Sequence, residues 1–464
     1  MELTDYIDLY KDNVLAISDT GDSVNYSEVK ILSQKFCSLT KEKKLVFQFS
    51  SNKIASLVGY LAFQQSKWVP LMLSENADKS FISSLIDQYN PNYFWISKDK
   101  YLFFELKGDI LLEYKDYCLI ENSKRDYNLN PNLAMLLSTS GTTGSAKLVK
   151  LSYENIFSNA ESIAEYLSLT TEERPITTLP MYYSYGLSVI NSHIIKGATL
   201  LLTNYSVLQI EFWSFFKTNK ASSFAGVPYT YEMLRKIRFN KMNLPSLKTM
   251  TQAGGKLSSD LVSEFAEIAK QKNFTFFVMY GQTEATARMS YLPPCSTLLK
   301  PSSIGIAIPN GYFELRDLDG NVIECENVNG ELYYFGKNVF MGYAHSFIDL
   351  SLADEQHGML KTGDIAYRDK EGYYYIVGRL NRFVKIFGNR VGLDEVEQIV
   401  KQYISECACV GNDEKITICL TKEIEFDLIT EISQKLHLFP SVFEIKIVPE
   451  IPKSESGKVL FSIL

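Results

Sequence analysis

This sequence lacks the features that mark membrane, disulfide-stapled and zinc-binding proteins. Its seven cysteines are odd in number and include no Cys-x-x-Cys pair, so neither a disulfide framework nor a zinc site is indicated. It contains no run of about eighteen apolar residues, the length that crosses a bilayer. The first residues, Met-Glu-Leu-Thr-Asp-Tyr, have neither the basic region nor the apolar core of a signal peptide. We therefore expect a cytoplasmic protein with no membrane span.

Charge and composition exclude further classes. A net charge of −7 gives no general attraction to nucleic acid or to an anionic membrane, so an anionic ligand would need a local site. With 46% hydrophobic and 13% aromatic residues, the chain is globular and has no compositional sign of long disordered regions. Its 464 residues suggest about two to four domains.

A stretch rich in hydroxyl groups and glycine follows the apolar residues Leu133 to Leu137. Its members are Ser138, Thr139, Ser140, Gly141, Thr142, Thr143, Gly144, Ser145, Ala146 and Lys147. Backbone N–H groups can converge on an anion where no side chain obstructs them, and the lysine adds a positive charge. The glycine spacing is not that of a Walker A loop. Taken alone, this composition fits a phosphate-binding loop and a flexible linker equally well.

Apolar stretches with strand character alternate with helical patterns up to about residue 280. Residues 45–49, 53–66 and 68–73 predict a strand, a helix and a strand, which is a βαβ unit. Ser152 can cap a helix with Ile156, Ala160, Ile163 and Leu167 on its inner face. We expect further strands at 177–179, 200–202 and 224–227. This alternation predicts a mostly parallel sheet covered by helices, with ligands at the carboxyl ends of its strands.

The pattern changes twice in the remaining chain. Between about 300 and 380, short strands with glycine turns predict a small β-rich subdomain. After 379–383 comes a compact α+β pattern, which predicts strands at 384–387, 406–410, 416–420 and 442–448 and helices at 394–404 and 427–437. Cys407 and Cys409 alternate along one of these strands, which favours core packing over metal binding. The predicted fold class is α/β: a large N-terminal domain (1–380) of parallel α/β sheets that includes the β-rich subdomain, followed by a small α+β C-terminal domain (381–464).

Short motifs in a fixed order carry a family resemblance. They are residues 139–147, Tyr280-Gly281-Gln282-Thr283-Glu284, Gly330-Glu331-Leu332 with Gly342-Tyr343, Lys361-Thr362-Gly363-Asp364, Gly378-Arg379 through Arg390, and Pro452-Lys453 through Gly457-Lys458. This set resembles the adenylate-forming superfamily of AMP-binding enzymes, which includes acyl-CoA synthetases, adenylation domains and luciferases. The resemblance covers nearly the whole chain. Ala146 and Leu148 depart from the residues usual in that family, proline and glycine, without removing a hydrogen-bond donor.

The resemblance implies roles for individual residues. Residues 139–147 would hold the β- and γ-phosphates of ATP, with Thr283 at the α-phosphate and Glu284 on Mg²⁺. Tyr280 would stack on adenine, Asp364 would accept both ribose hydroxyls, and Arg379 would touch the ribose or phosphate. Lys458 would reach the substrate carboxylate and the bridging oxygen during adenylation. Asn381 would be the hinge of a mobile C-terminal lid, and Gly388 would line a tunnel for the thiol. Taken singly, each of these residues also fits an ordinary turn, cap or surface role.

Residues 179–188 match the stretch that lines the acyl pocket in the family. Tyr183 falls where many acyl- and aryl-activating members carry an aromatic residue or histidine. Ser184 falls where amino-acid-activating members place an aspartate, and a buried ammonium without a counter-charge is costly. A neutral acyl or aryl tail is therefore expected. Further wall positions are Tyr229, Gly254, Gly255, Met279, Ala285 and Met289, and the two glycines suggest space for an elongated tail.

Three functions fit these residues. The first is an ATP- and Mg²⁺-dependent acid–thiol ligase, which makes an acyl-AMP from a small carboxylate and then a thioester on CoA or a phosphopantetheinyl carrier protein. The second is an amino-acid adenylating enzyme that loads a carrier protein. The third is a catalytically silent relative, which the presence of Lys458, Glu284 and Asp364 disfavours.

Overall fold

The computed structural model describes residues 2–138, 147–386, 389–404, 406–412, 414–424, 426–436, 438–453 and 459–464. The first of these segments alternates strands and helices, as its sequence predicts from residue 45 onward. Its elements are α1 (Asp5–Leu9), β1 (Val14–Ser18), β2 (Ser23–Asn25), α2 (Ser27–Leu39), β3 (Leu45–Ser50), α3 (Ile54–Gln65), β4 (Val69–Ser74), α4 (Lys79–Tyr89), β5 (Tyr93–Ser97), α5 (Lys98–Phe103), β6 (Ile110–Tyr114), β7 (Tyr117–Glu121) and β8 (Leu133–Ser138).

The chain from residue 148 to 307 continues the alternation. Its elements are β9 (Leu148–Ser152), α6 (Tyr153–Tyr166), β10 (Pro175–Ile176), α7 (Ser184–Ile194), β11 (Leu200–Leu202), α8 (Ile210–Thr218), β12 (Ser223–Gly226), α9 (Pro228–Lys236), β13 (Thr249–Gln252), α10 (Ser259–Lys272), β14 (Thr275–Tyr280), β15 (Ser290–Leu292) and β16 (Ile306–Ala307). The predicted cap of α6 is present, because the Ser152 hydroxyl accepts from the Asn155 N–H and the Asn155 side chain accepts from the Ser152 N–H.

Two large sheets form from these strands. In one, β3, β4, β5 and β8 are parallel neighbours. With β19 (Gly342–Ala344) at its edge, the whole order of this sheet is β19-β9-β8-β4-β3-β5-β7-β6. The other sheet has the order β16-β15-β14-β13-β12-β10-β11-β1-β2. Helix α3 is buried on every side except at Gln65, since it lies in the interior between layers. The α/β fold class is confirmed.

The remaining strands form smaller sheets. Strands β17 (Gly311–Arg316), β18 (Gly330–Gly336), β20 (Met359–Arg368) and β21 (Tyr374–Arg379) make an antiparallel four-stranded sheet. The last segment contains β22 (Phe383–Ile386), β23 (Asn389–Gly392), α11 (Leu393–Val400), β24 (Cys407–Gly411), β25 (Ile416–Leu420), α12 (Leu428–Leu436) and β26 (Phe443–Ile447). It packs around its own apolar cluster, to which Cys407 and Cys409 contribute as predicted. The division into domains at residue 380 stays a prediction.

Some element boundaries differ from those predicted. The strand expected at 177–179 lies at Pro175–Ile176, and the helix expected at 394–404 begins at Leu393 and ends at Val400. Strand β1, which was not predicted, pairs in parallel with β11. Within the described residues, no helix is both long and apolar enough to cross a bilayer.

Candidate active site

The candidate site lies at the carboxyl ends of neighbouring parallel strands. Strands β12, β13 and β14 are parallel and adjacent, and they end at Gly226, Gln252 and Tyr280. The predicted residues Gly254, Gly255 and Thr283 follow directly after two of these ends. This is the edge at which open α/β sheets collect ligands.

A tight turn after β14 presents Thr283 and Glu284. The N–H of Met289 donates to the Tyr280 carbonyl at 2.9 Å and closes the turn. Gly281 is required there, because a Cβ would lie 1.7 Å from the Ala287 carbonyl oxygen. Thr286 and Ala287 have φ values of 56° and 107°, left-handed conformations that cost non-glycine residues about 1–3 kcal/mol each. The backbone is therefore strained where the sequence places its candidate catalytic side chains.

Asp364 is the centre of a buried polar group beside this turn. Its side chain is 2% exposed. The Tyr280 hydroxyl and Gln282 Nε2 both donate to its Oδ2, the latter at 3.0 Å. Arg379 Nε donates to Oδ1 at 3.2 Å, across the register pair that joins β20 and β21. Burial raises the pKa of Asp364, although Arg379 and the hydrogen bonds oppose that shift.

Glu284 is connected to Lys147 through Tyr343. The Tyr343 hydroxyl donates to Glu284 Oε1 at 2.8 Å. The Lys147 ammonium lies 3.8 Å from the centroid of the same tyrosine ring, in cation–π contact. Tyr343 is held by the pairing of β19 with β9, in which it lies opposite Val149. The structure thus brings Lys147 and Glu284 to two sides of one aromatic residue.

Thr283 faces the start of α7. Its hydroxyl is hydrogen-bonded to the hydroxyl of Ser184 at 3.1 Å. Ser184 is buried, and no carboxylate among the described residues bonds to it. Ser184, the position at which amino-acid-activating members carry an aspartate, is therefore next to Thr283, the residue expected at the α-phosphate.

Met279 and Tyr183 meet in a small apolar cluster next to Ser184. We name it the Met279 cluster; its buried members are Leu179, Tyr185, Ala225, Val227, Ala253, Phe277 and Met279, and Tyr166, Leu167, Tyr183, Val189 and Tyr291 pack against them. Residues 179–188, predicted to line the acyl pocket, contribute Leu179 and Tyr185 to its buried members, and Tyr183 packs against them.

Several predicted wall positions fall elsewhere. Tyr229 is 49% exposed and does not belong to the Met279 cluster, because it lies on the outer side of α9. Ala285 and Met289 are buried in the main core instead. The space expected beside Gly254 is taken by Tyr183, whose hydroxyl would lie 2.5 Å from a Cβ there, and a Cβ at Gly255 would lie 3.1 Å from Pro228. The two glycines therefore make room for the side chains of Tyr183 and Pro228 and do not leave an open inner end of the acyl pocket.

Some predicted residues cannot be located. Residues 139–146, Gly388 and Lys458 lie outside the described residues. On either side of the segment that contains Lys458, Lys453 and Val459 pair as an antiparallel bridge. Asn381 lies in the single helical turn Leu380–Arg382, which joins β21 to β22. Asp394 of α11 binds this junction by accepting from the Arg379 N–H at 3.2 Å and from Arg382 Nε at 2.6 Å.

Glu284 is compatible with a magnesium ion. Among the described residues, no three acidic, histidine or cysteine side chains converge as a preformed metal site. Mg²⁺ is usually held by one or two carboxylates together with substrate phosphates and water, so a single glutamate suffices. The Tyr343 hydroxyl occupies only Oε1 of this carboxylate.

Sequence reasoning missed three residues of the site. Gln282 and Tyr343 lie inside the quoted motifs but received no role, although both contact a predicted residue directly. Arg288, which is 1% exposed and contacts the Met279 cluster, stands outside every motif. No sequence pattern marks it, and only its burial identifies it.

Comparison with known proteins places the chain in a family. The sequence profile of the family described as AMP-binding enzyme matches residues 66–344, more than half of the chain. A 2-succinylbenzoate–CoA ligase of Listeria monocytogenes is 27% identical over 340 residues, which cover 70% of this chain and 68% of the relative. A probable 4-coumarate–CoA ligase 1 of Dictyostelium discoideum is 28% identical over 367 residues, covering 74% and 65%.

The fold is shared with a solved structure. The O-succinylbenzoate coenzyme A synthetase of Bacillus subtilis in complex with AMP superposes with a TM-score of 0.79 at 20% identity, covering 99% of this chain and 96% of that one. The same synthetase with ATP and a magnesium ion gives a TM-score of 0.77 at 20% identity, covering 99% and 98%. The predicted AMP-forming acid–thiol ligase is therefore confirmed, and the chain belongs to the AMP-binding enzyme family.

Proposed function

We propose that this ligase binds ATP across the turn after β14 and uses it to activate an acyl or aryl carboxylic acid. The observation that carries this proposal is the convergence of Tyr280, Gln282 and Arg379 on the buried carboxylate of Asp364. Burying a carboxylate to 2% exposure costs free energy unless it accepts several hydrogen bonds. Ribose hydroxyls are further donors of the kind it accepts.

The nucleoside end of ATP would lie at Asp364. Its Oδ1 accepts one described side-chain bond, from Arg379, and we expect it to accept from the ribose as well. Tyr280 would pack its ring on adenine while its hydroxyl keeps the bond to Asp364. Arg379 is half-exposed at this position, so it can turn from the carboxylate toward the ribose or the phosphates.

The phosphate end would lie between Thr283, Glu284 and Lys147. Adenylation forms a bond from a carboxylate oxygen to the α-phosphorus and breaks the bond to the pyrophosphate leaving group. Both steps concentrate negative charge. Lys147 and residues 139–146 would receive the β- and γ-phosphates, and Thr283 would donate to the α-phosphate. A magnesium ion held by Glu284 would supply charge neutralisation, and Lys458 would complete it at the reacting carboxylate.

The acid would extend from Thr283 into the Met279 cluster, past Tyr183 and Ser184. The hydroxyl pair of Ser184 and Thr283 offers no counter-charge to a substrate ammonium, so the amino-acid alternative is disfavoured. The acceptor would be CoA rather than a carrier protein. The 27–28% identical relatives named as CoA ligases support that choice.

The second half-reaction would use the C-terminal residues 381–464 as a lid. We propose that it turns about Asn381 and that Gly388 leaves room for the pantetheine arm of the thiol. The bonds from Arg379 and Arg382 to Asp394 would hold one of its positions. We assign the activity to the cytoplasm, where ATP and CoA are both supplied.

ATP–pyrophosphate exchange over a panel of acyl, aryl and amino acids tests this function. We expect exchange with at least one acyl or aryl acid and, after CoA is added, its thioester. Exchange with amino acids alone would favour carrier-protein loading. No exchange with any acid would favour a silent relative.

A further inference from the structure

Arg288 is a buried cation without a carboxylate partner. Its side chain is 1% exposed, and it is among the largest fully buried side chains of the described residues. The arginine ion pairs of the described residues involve Arg235, Arg316, Arg379 and Arg382 but not Arg288. Burying a charge without a counter-charge is unfavourable, and a protein normally pairs it or exposes it.

The groups that do touch the guanidinium are neutral. Its Nε donates to the Ser188 hydroxyl at 3.2 Å. Its Nη1 donates to the Tyr166 hydroxyl at 2.9 Å and to Met279 Sδ at 3.4 Å. The Tyr185 ring centroid lies 5.1 Å from the guanidinium carbon. These bonds use Nε and Nη1, and none joins Nη2 to a described residue.

The surrounding titratable groups do not supply the missing charge. His193 is close enough for Arg288 to help lower its pKa, which burial brings to about 4, so this imidazole is neutral near pH 7. Glu173, which also acts on His193, is already bound to Ser222 at 2.6 Å and to Lys248 at 3.3 Å. The tyrosines at 166 and 185 stay protonated, because burial raises the pKa of both.

The guanidinium contacts the cluster into which we propose that the acid extends. Met279 and Tyr185 are buried members of the Met279 cluster, and Tyr166 packs against it. Tyr183 and Tyr185 of this cluster flank Ser184 in the chain, and the Ser184 hydroxyl bonds to Thr283 at the proposed α-phosphate position. The backbone of Arg288 is fixed as well, since Asn159 and Asn338 donate to its carbonyl at 2.9 and 3.0 Å.

We infer that the acid activated by this enzyme carries a second negative group, a carboxylate in the simplest case, and that Arg288 binds it. This inference rests on the proposed function and makes its substrate class narrower. A carboxylate can take two parallel N–H bonds from one guanidinium, and here it would accept from Nη2. An acid with a second negative group replaces the neutral tail that Ser184 led us to expect. Ser184 shows only that no anion faces the tail, whereas Arg288 adds a buried cation.

Matched pairs of acids test this inference. We would measure ATP–pyrophosphate exchange with 2-succinylbenzoate against 3-benzoylpropionate, which lacks the ring carboxylate, and with suberate against octanoate. We expect the dicarboxylic member of at least one pair to have a kcat/KM about 10- to 100-fold higher, the value of a charged hydrogen bond. Monocarboxylic acids preferred in both pairs, or no preference in either, would overturn the inference.

Variants separate recognition from folding. Arg288→Gln should lower kcat/KM for the dicarboxylic acid by about 10- to 100-fold, leave the monocarboxylic acid and the KM for ATP nearly unchanged, and be partly rescued by Arg288→Lys. Arg235→Gln, which removes a half-exposed arginine 3.8 Å from Glu264, is the matched control. Equal loss with both acids of a pair would overturn the inference, and the wild-type acid preferences test it even if Arg288→Gln does not fold.

The same assays distinguish the two levels of the proposal. Exchange with monocarboxylic acids alone would overturn the role of Arg288 and leave the proposed function standing. Exchange with no acid would overturn both.

Discussion

The Tyr343 hydroxyl donates a hydrogen bond to Glu284 Oε1 at 2.8 Å, although the two residues are 59 positions apart in the chain. The bond joins the edge strand β19 to the turn after β14, and thereby joins the two large sheets at the candidate phosphate end. Burial raises the pKa of Tyr343, so its hydroxyl remains a proton donor to the carboxylate. It orients Glu284 and leaves Oε2, which would bind the proposed magnesium ion.

Tyr343→Phe should therefore weaken the response to magnesium. We expect a fall of about tenfold in the exchange rate and a higher Mg²⁺ concentration at half-maximal rate, because one charge-assisted hydrogen bond is lost. The ring under Lys147 remains. The control is Tyr312→Phe, at an exposed ring that stacks on Phe335. An unchanged magnesium titration would mean that Tyr343 has no positioning role.

Asp364→Asn should weaken ATP binding. The amide cannot accept from both ribose hydroxyls as an ionised carboxylate does, so we expect the Kd for ATP to rise by about 10- to 100-fold. Isothermal titration calorimetry measures this directly. Wild-type affinity in the variant would remove Asp364 from the nucleotide site.

The same carboxylate should make ATP affinity depend on pH. Burial raises its pKa above the ordinary 3.8, so in the free enzyme it takes up a proton at higher pH than an exposed aspartate does. ATP affinity should therefore fall as the pH is lowered through this raised value. For stability the sign is opposite, since the buried group favours the folded state when protonated and this contribution is lost as pH rises. A Kd titration of wild type and Asp364→Asn, with only the wild type responding, checks this.

Gly281→Ala should destabilise the fold at the site. Its Cβ would lie 1.7 Å from a backbone oxygen, so the turn cannot close without moving Ala287. We expect a loss of about 3 kcal/mol or more in the free energy of unfolding, measured by urea denaturation. In Gly320→Ala the Cβ meets nothing within 4 Å, and only the positive φ of 86° costs about 1 kcal/mol. Equal effects of the two substitutions would contradict the steric account.

The sequence predicts the alternating part of the fold well because its signals are local. Ser152 caps α6 as expected, and the C-terminal strands and helices fall within a few residues of their predicted bounds. The parallel pairing of β1 with β11 has no local signal, since the two strands are separated by most of the N-terminal half. Strand β10 is only two residues long, which is too short for a periodic pattern.

The site was predictable only where motifs carried it. Asp364, Arg379 and Tyr280, which all lie in motifs, are hydrogen-bonded to one another, whereas Tyr229 lies outside the Met279 cluster. A residue's position in a motif does not say which neighbour it meets, so the Tyr343–Glu284 bond could not be foreseen. Arg288 lies among apolar and polar residues without a pattern, and only its burial without an anion identifies it.

The central claim is that Lys458 completes the adenylation site and is not needed for thioester formation. The most direct measurement compares the two half-reactions in Lys458→Ala. We expect acyl-AMP formation from ATP to fall by about 100- to 1,000-fold, while CoA thioester formation from supplied acyl-AMP stays near the wild-type rate. Equal loss of both half-reactions, or full adenylation activity in the variant, would contradict this account.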